Sequence, residues 1–106
     1  MTSLKNTNKM VVEFSEPAFI ELDDAIEYYN IQSQGLGKVF FDEVLTVIKL
    51  ISQFPIAWPA FSANTKKAIL KKFPYSLIFV IHENKVNIIA VAHHHRSPEY
   101  WIERIT

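Results

Sequence analysis

Cysteine is absent from the 106 residues, glycine occurs only twice, and no apolar stretch approaches the length of a membrane span. Without cysteine there is no disulfide framework, no thiolate zinc site and no cysteine nucleophile, which suits a reducing cytoplasm. The apolar run Leu77 to Ile81 is far short of the roughly 20 residues that cross a bilayer. The opening residues Thr2, Ser3, Asn6, Thr7 and Asn8 are polar and lack the apolar core of a signal peptide. These absences predict a soluble, cytoplasmic protein with no membrane partner. There is also no Gly-rich phosphate loop, nucleophile elbow or zinc-helix motif, so no cofactor is expected.

What is present is one dense core. Apolar residues make up 49% of the chain and aromatics 13%, a composition that argues against disorder. Residues 1–8 read as a flexible tail and 9–106 as a single domain, because a second core would leave each half too small to fold unaided. Net charge is zero, but it is unevenly spread. Residues 1–51 carry Lys5, Lys9, Lys38 and Lys49 against Glu13, Glu16, Glu21, Asp23, Asp24, Glu27, Asp42 and Glu43. Residues 52–106 carry Lys66, Lys67, Lys71, Lys72, Lys85, Arg96 and Arg104 against Glu83, Glu99 and Glu103. The C-terminal half thus offers a surface to an anionic partner, unless its lysines merely guard sheet edges.

Periodicity orders the elements. Met10 to Phe14 is short and β-rich and predicts a first strand. Ser15 can cap a helix whose first turn holds Glu16 and Pro17. Leu22, Ala25, Ile26 and Tyr29 recur at i, i+3, i+4 and i+7, one stripe of that helix, and Gly35 and Gly37 are expected to end it. A second helix is predicted from Lys38 to Gln53, with Phe40, Val44, Val47, Ile48 and Ile51 inside. The short connection makes the two an antiparallel hairpin. Pro55 and Pro59 stop the second helix, and residues 54–64 read as a loop. Ala68 to Phe73, Ser76 to His82 and Val86 to Ala92 predict three further strands, the middle one buried on both faces, with a tight turn at Glu83-Asn84-Lys85. A short helix is expected within Pro98 to Ile105. The fold class is α+β: a mostly antiparallel sheet with the helical hairpin on one face.

The chemistry concentrates in Ala92-His93-His94-His95-Arg96-Ser97-Pro98-Glu99-Tyr100-Trp101. Imidazole moves protons near neutral pH, and guanidinium grips phosphate with paired donors. On a strand His93 and His95 face one side and His94 the other. Two same-face histidines can bind zinc, but no thiolate supports a metal and the nearest acids lie in the tail, so none is expected. RNA cleavage needs a base for the 2′-OH, a cation for the developing charge and an acid for the leaving oxygen. His94, Lys67 and Arg96 can supply those roles if the fold brings them together. Three histidines inside a continuing sequence are too few for a purification tag. The plain alternative is that His93 packs at the core edge while its neighbours face solvent. The pairs Lys66-Lys67 and Lys71-Lys72 either contact phosphates or prevent edge pairing. Trp58, Tyr75, Tyr100 and Trp101 either stack bases or fill the core.

Several stretches, in order and at matching spacing over about residues 10 to 104, resemble the RelE/ParE family of toxins from type II toxin–antitoxin systems. They are Ala25-Ile26-Glu27-Tyr28-Tyr29, Gly35-Leu36-Gly37, Phe41-Asp42-Glu43-Val44, Phe54-Pro55, Trp58-Pro59, Leu70 through Phe79, Ala90-Val91-Ala92-His93 and Arg96-Ser97-Pro98-Glu99-Tyr100-Trp101. The resemblance implies a β-α-α-β-β-β fold and a cognate antitoxin whose C-terminal segment wraps over the toxin. It implies either a homodimer or a toxin–antitoxin hetero-oligomer. RelE-like members cut mRNA on the ribosome, and for that activity the resemblance implies Lys67, His94, Arg96 and Tyr100 as catalytic residues. Ser76 and His94 stand where that group has arginines, and a lost transition-state cation is worth about 3 kcal/mol. The ParE-like branch of plasmid-stabilisation proteins inhibits DNA gyrase and lacks the nuclease set. The Phe-Pro-Tyr-Ser pattern and the Tyr-Trp tail resemble that branch more. Lys66, Lys71, Lys72, His93, His95, Trp101 and Arg104 are then the expected contacts to antitoxin or target. A third expectation is a binding module that harms nothing.

Overall fold

The computed structural model describes residues 10–62, 64–97 and 100–105. The expected tail over residues 1–8 lies outside them. β1 (Val11–Phe14) leads into α1 (Glu16–Gln32) and α2 (Leu36–Gln53), then a short 3-10 turn at Pro55–Ala57. β2 (Ala60–Ser62), β3 (Thr65–Ile69), β4 (Tyr75–His82) and β5 (Lys85–His93) follow, and a 3-10 turn at Ile102–Ile105 closes the chain. The five strands form one sheet in the order β1-β5-β4-β3-β2. β1 runs parallel to β5, and the other pairs are antiparallel. The class is α+β, as the periodicity implies.

Local chemistry accounts for the helix ends. Ser15 sits in extended backbone and its hydroxyl accepts from the Ala18 N–H at 3.3 Å, with Pro17 in the first turn. The two glycines serve α2 rather than ending α1, which stops at Gln32. Gly35 holds the left-handed φ of 87° that begins α2, and Gly37 lies inside it. A Cβ on Gly37 would lie 2.5 Å from the Ile26 carbonyl oxygen, so the missing side chain lets the helices touch. The Gly37 N–H then donates to Asn30 Oδ1 at 2.8 Å.

Both faces of the sheet are covered. Leu77, Phe79, Ala68 and Val91 pack beneath the helices with Ala18, Leu22, Phe40, Val44 and Ile51. The rings of Tyr29, Phe40, Phe73 and Tyr75 meet there at centroid distances from 4.8 to 6.1 Å. The alternate residues Ile78 and Ala90, with Ile89, face a smaller cluster around Trp101, which is 2% exposed. A register shift at Ile78/Phe79 gives the β4–β5 pair a bulge. The turn between these strands holds Glu83 and Asn84, with Glu83 at φ 56°, and Lys85 already pairs with His82.

Two elements differ from the sequence pattern. β3 runs from Thr65 to Ile69 rather than from Ala68 to Phe73, because Thr65 is buried and pairs with Val80, while residues 71–74 form a bend before β4. Residues 60–62, expected as loop, pair with β3 and so become a short edge strand.

Candidate functional site

Register brings the chemistry to the face of the sheet away from the helices. Lys67 pairs with Ile78, and Ser76 pairs with Ala92, so Lys67, Ser76 and the end of β5 converge. β5 stops at His93, where the His94 N–H donates to the Pro74 carbonyl at 2.8 Å and the Arg96 N–H to the His93 carbonyl at 3.0 Å. The chain turns back over the sheet. Its return delivers Tyr100 and Trp101 to a cavity of about 270 Å³ whose lining includes Lys67, Ser76, His94 and Arg96. The four residues implied as catalytic by the resemblance therefore share one depression.

Their states within it differ. Ser76 is 1% exposed, and its Oγ lies 2.9 Å from His94 Nε2, so a buried hydroxyl holds the far nitrogen of an otherwise exposed histidine. The Lys67 ammonium stands 4.5 Å from the Phe61 ring centroid, and the Arg96 guanidinium lies 3.8 Å over the Tyr100 ring. Tyr100 does not present a free hydroxyl: it donates to Glu21 Oε2 at 2.7 Å. Burial, and then that bond to a carboxylate, push the phenol well above its ordinary range. It is a neutral donor at any physiological pH.

Glu21 is the residue that sequence reasoning missed. Besides Tyr100, it accepts from Arg104 NH1 and NH2 at 3.0 and 2.9 Å and from the Val91 N–H at 2.9 Å. Arg104 also donates to the Ile89 carbonyl at 2.9 Å. The signal was present: Ala18, Glu21, Leu22 and Ala25 occupy i, i+3, i+4 and i+7, which places this acid on the buried stripe of α1.

The expected binding residues scatter. Lys66 is drawn away from its neighbour, its ammonium donating to the Trp58 carbonyl at 2.8 Å. Trp101 is a core residue, and Arg104 is held by Glu21. His93 lies edge-on to Tyr75 at 4.9 Å and to His95 at 4.8 Å. Burial, then the adjacent charges of His95 and His94, lower its pKa. Lys71 and Lys72 lie in the bend after β3, where their backbone N–H groups donate to the Glu43 carboxylate on α2, from Lys72 at 3.1 and 3.2 Å. Among the described residues no group of three histidines, aspartates or glutamates gathers to hold a metal. No described helix is long and apolar enough to cross a membrane.

No protein-family model matches the chain, and no curated protein matches it. A chain of the solved structure described as the chromosomal ParDE TA system from P. aeruginosa is similar in fold, with a TM-score of 0.72 and 14% identity. The similarity covers 82% of this chain and 98% of that one. The fold shared with that chain is two helices on a mixed five-stranded sheet.

Proposed function

We propose that this chain is the toxin of a type II toxin–antitoxin pair, neutralised by a cognate antitoxin, and that it harms by binding DNA gyrase in the cytoplasm. The observation that carries the first part is the fold likeness over 98% of a chain from a ParDE system. Binding rather than RNA cleavage is favoured by the state of the cavity. Tyr100 is committed to Glu21, and Ser76, where the resemblance to the nuclease group implies an arginine, is a buried serine. A zero net charge also disfavours a general RNA binder.

A second reading, a ribosome-dependent mRNA endonuclease, has one specific support. Lys67, His94 and Arg96 line the same cavity, where imidazole chemistry and two cations would serve phosphodiester cleavage. Inducible expression in a bacterium without the antitoxin separates the two, with mRNA ends and chromosome breaks sampled together. Breaks with intact mRNA support gyrase poisoning. Fresh mRNA cuts without breaks move the assignment to the nuclease, and unimpaired growth leaves only a non-toxic antitoxin-binding module.

A further inference from the structure

Beyond Ile88, where β1 ends, the edge of β5 runs on without a neighbouring strand, and α1 packs beside it. A second cavity, also of about 270 Å³, opens there. Its walls include Asp24 and Tyr28 of α1, Tyr75 of β4 and His93 of β5. The rings stand in a chain: His93 lies edge-on to Tyr75 at 4.9 Å, and Tyr29 links Tyr75 to Tyr28 at 6.1 and 5.1 Å. Such rings turn a negative π face toward a cation. Burial holds the His93 pKa below its ordinary value, so that ring is neutral near neutral pH and repels no cation.

The charges around the cavity select an occupant. Glu21 reaches the lining but is spent on Arg104, Tyr100 and the Val91 N–H. Asp24, one turn further along α1, has no ion pair among the described residues, and neither have Asp23 and Glu27. α1 itself holds no lysine or arginine to answer them. Arg96 also lines the cavity, but its guanidinium is stacked 3.8 Å over Tyr100, which belongs to the His94 cavity and not to this one. An unpaired carboxylate therefore stands beside π faces, and together they suit a cation. Guanidinium fits better than ammonium: it is planar, stacks on rings, forks onto a carboxylate and sheds its hydration more readily. The flanks point to a macromolecular source. Ile20, Asp24, Tyr28 and Ile31 recur at i, i+4, i+8 and i+11, one stripe along α1. Ile20 and Ile31 are 51% and 75% exposed, apolar surface that a small ion would leave wet.

We infer that this cavity receives an arginine side chain of a partner protein. Its guanidinium lies between Asp24 and the rings of Tyr28 and Tyr75, and the apolar residues beside it cover Ile20 and Ile31. This site stands apart from the toxin reading, because cation recognition here is independent of any effect on growth.

The test titrates the full ¹⁵N-labelled chain with a short capped peptide holding one arginine between isoleucines, and with twins carrying lysine or citrulline in its place. Citrulline keeps the planar shape and removes the charge. Amide shifts should centre on Asp24, Tyr28, Val91 and His93, and the arginine peptide should bind about tenfold more tightly than the citrulline one. Lysine should fall between them. Asp24→Asn, which keeps the side-chain shape, should remove most of that preference, and Tyr28→Leu should weaken the arginine peptide about fivefold. Arg96→Ala should tighten it, since a competing cation leaves the rim. Equal affinity for arginine and either twin, shifts centred on Lys67 and His94, an Asp24→Asn variant that binds as the parent does, or no binding at millimolar peptide overturn the inference. So does equally tight binding of free arginine amide, which would make the ligand a small cation and leave Ile20 and Ile31 without a part.

Discussion

Glu21 on α1 and Arg104 in the last turn, 83 residues apart, meet in a two-pronged pair at 3.0 and 2.9 Å. The pair replaces a missing strand. β1 ends opposite Ile88, and beyond it the exposed edge of β5 is satisfied by Glu21 at the Val91 N–H and by Arg104 at the Ile89 carbonyl. With Arg104 24% and Glu21 17% exposed, the charges are mostly enclosed, so removing one strands the other.

Glu21→Gln should therefore cost about 2 kcal/mol, since the guanidinium keeps its enclosure and loses its anion. For a chain of this size that lowers Tm by about 10 °C, readable by thermal unfolding. A shift within about 2 °C would show the pair to be ornamental.

Alkaline pH should unfold the chain earlier than a typical domain. Burial, then the neighbours Tyr29, Tyr28 and Glu21, push the Tyr75 phenol up to about 12. An unfolded tyrosine releases its proton near about 10. The raised native value means that Tyr75 contributes stability fully below pH 10, and the contribution disappears as pH climbs toward 12. Tyr100 acts in the same direction. Urea midpoints should hold steady to about pH 9 and then decline. Tyr75→Phe, which removes the proton in question, should make the decline shallower, and an unchanged slope would exclude this cause.

Gly35 and Gly37 should differ in what alanine does. At Gly35 nothing stands within 4 Å of an added Cβ, and only the left-handed backbone objects, costing about 1 kcal/mol. At Gly37 the added carbon meets the Ile26 carbonyl at 2.5 Å and the Asn30 side chain at 2.7 Å, so the two helices must part. Gly37→Ala should cost about 3 kcal/mol and loosen the Asn30 bond. Chemical denaturation of the two variants side by side measures the ordering, and equal losses would refute the close-contact account.

Much of this architecture was legible because it obeys short periods. The α2 stripe and the apolar run of β4 announce themselves: Phe40, Val44, Val47 and Ile51 are buried as expected, as are Leu77 to Phe79, while Ile48 is only half-buried and Leu45, which widens the stripe, is exposed. β3 was misplaced because Ile69, Leu70 and Phe73 dominate the apolar signal. Its true start is a threonine whose hydroxyl donates to the Ser62 carbonyl and so fixes the β2–β3 turn. β2 exists only through that pairing, which no local propensity encodes. The gathering of Lys67, His94, Arg96 and Tyr100 was legible through resemblance alone. That Tyr100 is spoken for was not, since its partner sits on the first helix. The divergence of Lys66 from Lys67 follows from strand alternation once the strand is placed.

The histidine cluster decides between the two molecular readings. If His94 were the acid or base of an RNA-cleaving site, its removal would cost about 10²- to 10⁴-fold in rate. Growth arrest would then fail at any ordinary expression level. Against that role stands the committed Tyr100 hydroxyl, which cannot replace it. Ser76, buried at 2.9 Å from the ring, orients the imidazole but carries no charge. His94→Ala should therefore leave growth arrest within about twofold of the parent, because His94 is an exposed residue and its loss opens no core cavity. The measurement is colony growth after induction, with protein amounts matched by immunoblot and mRNA ends mapped in the same cultures. Loss of arrest at equal protein, together with loss of cut mRNA, would return this imidazole to the centre of a nuclease. Retained arrest with intact mRNA confines its part to the shape of the cavity wall.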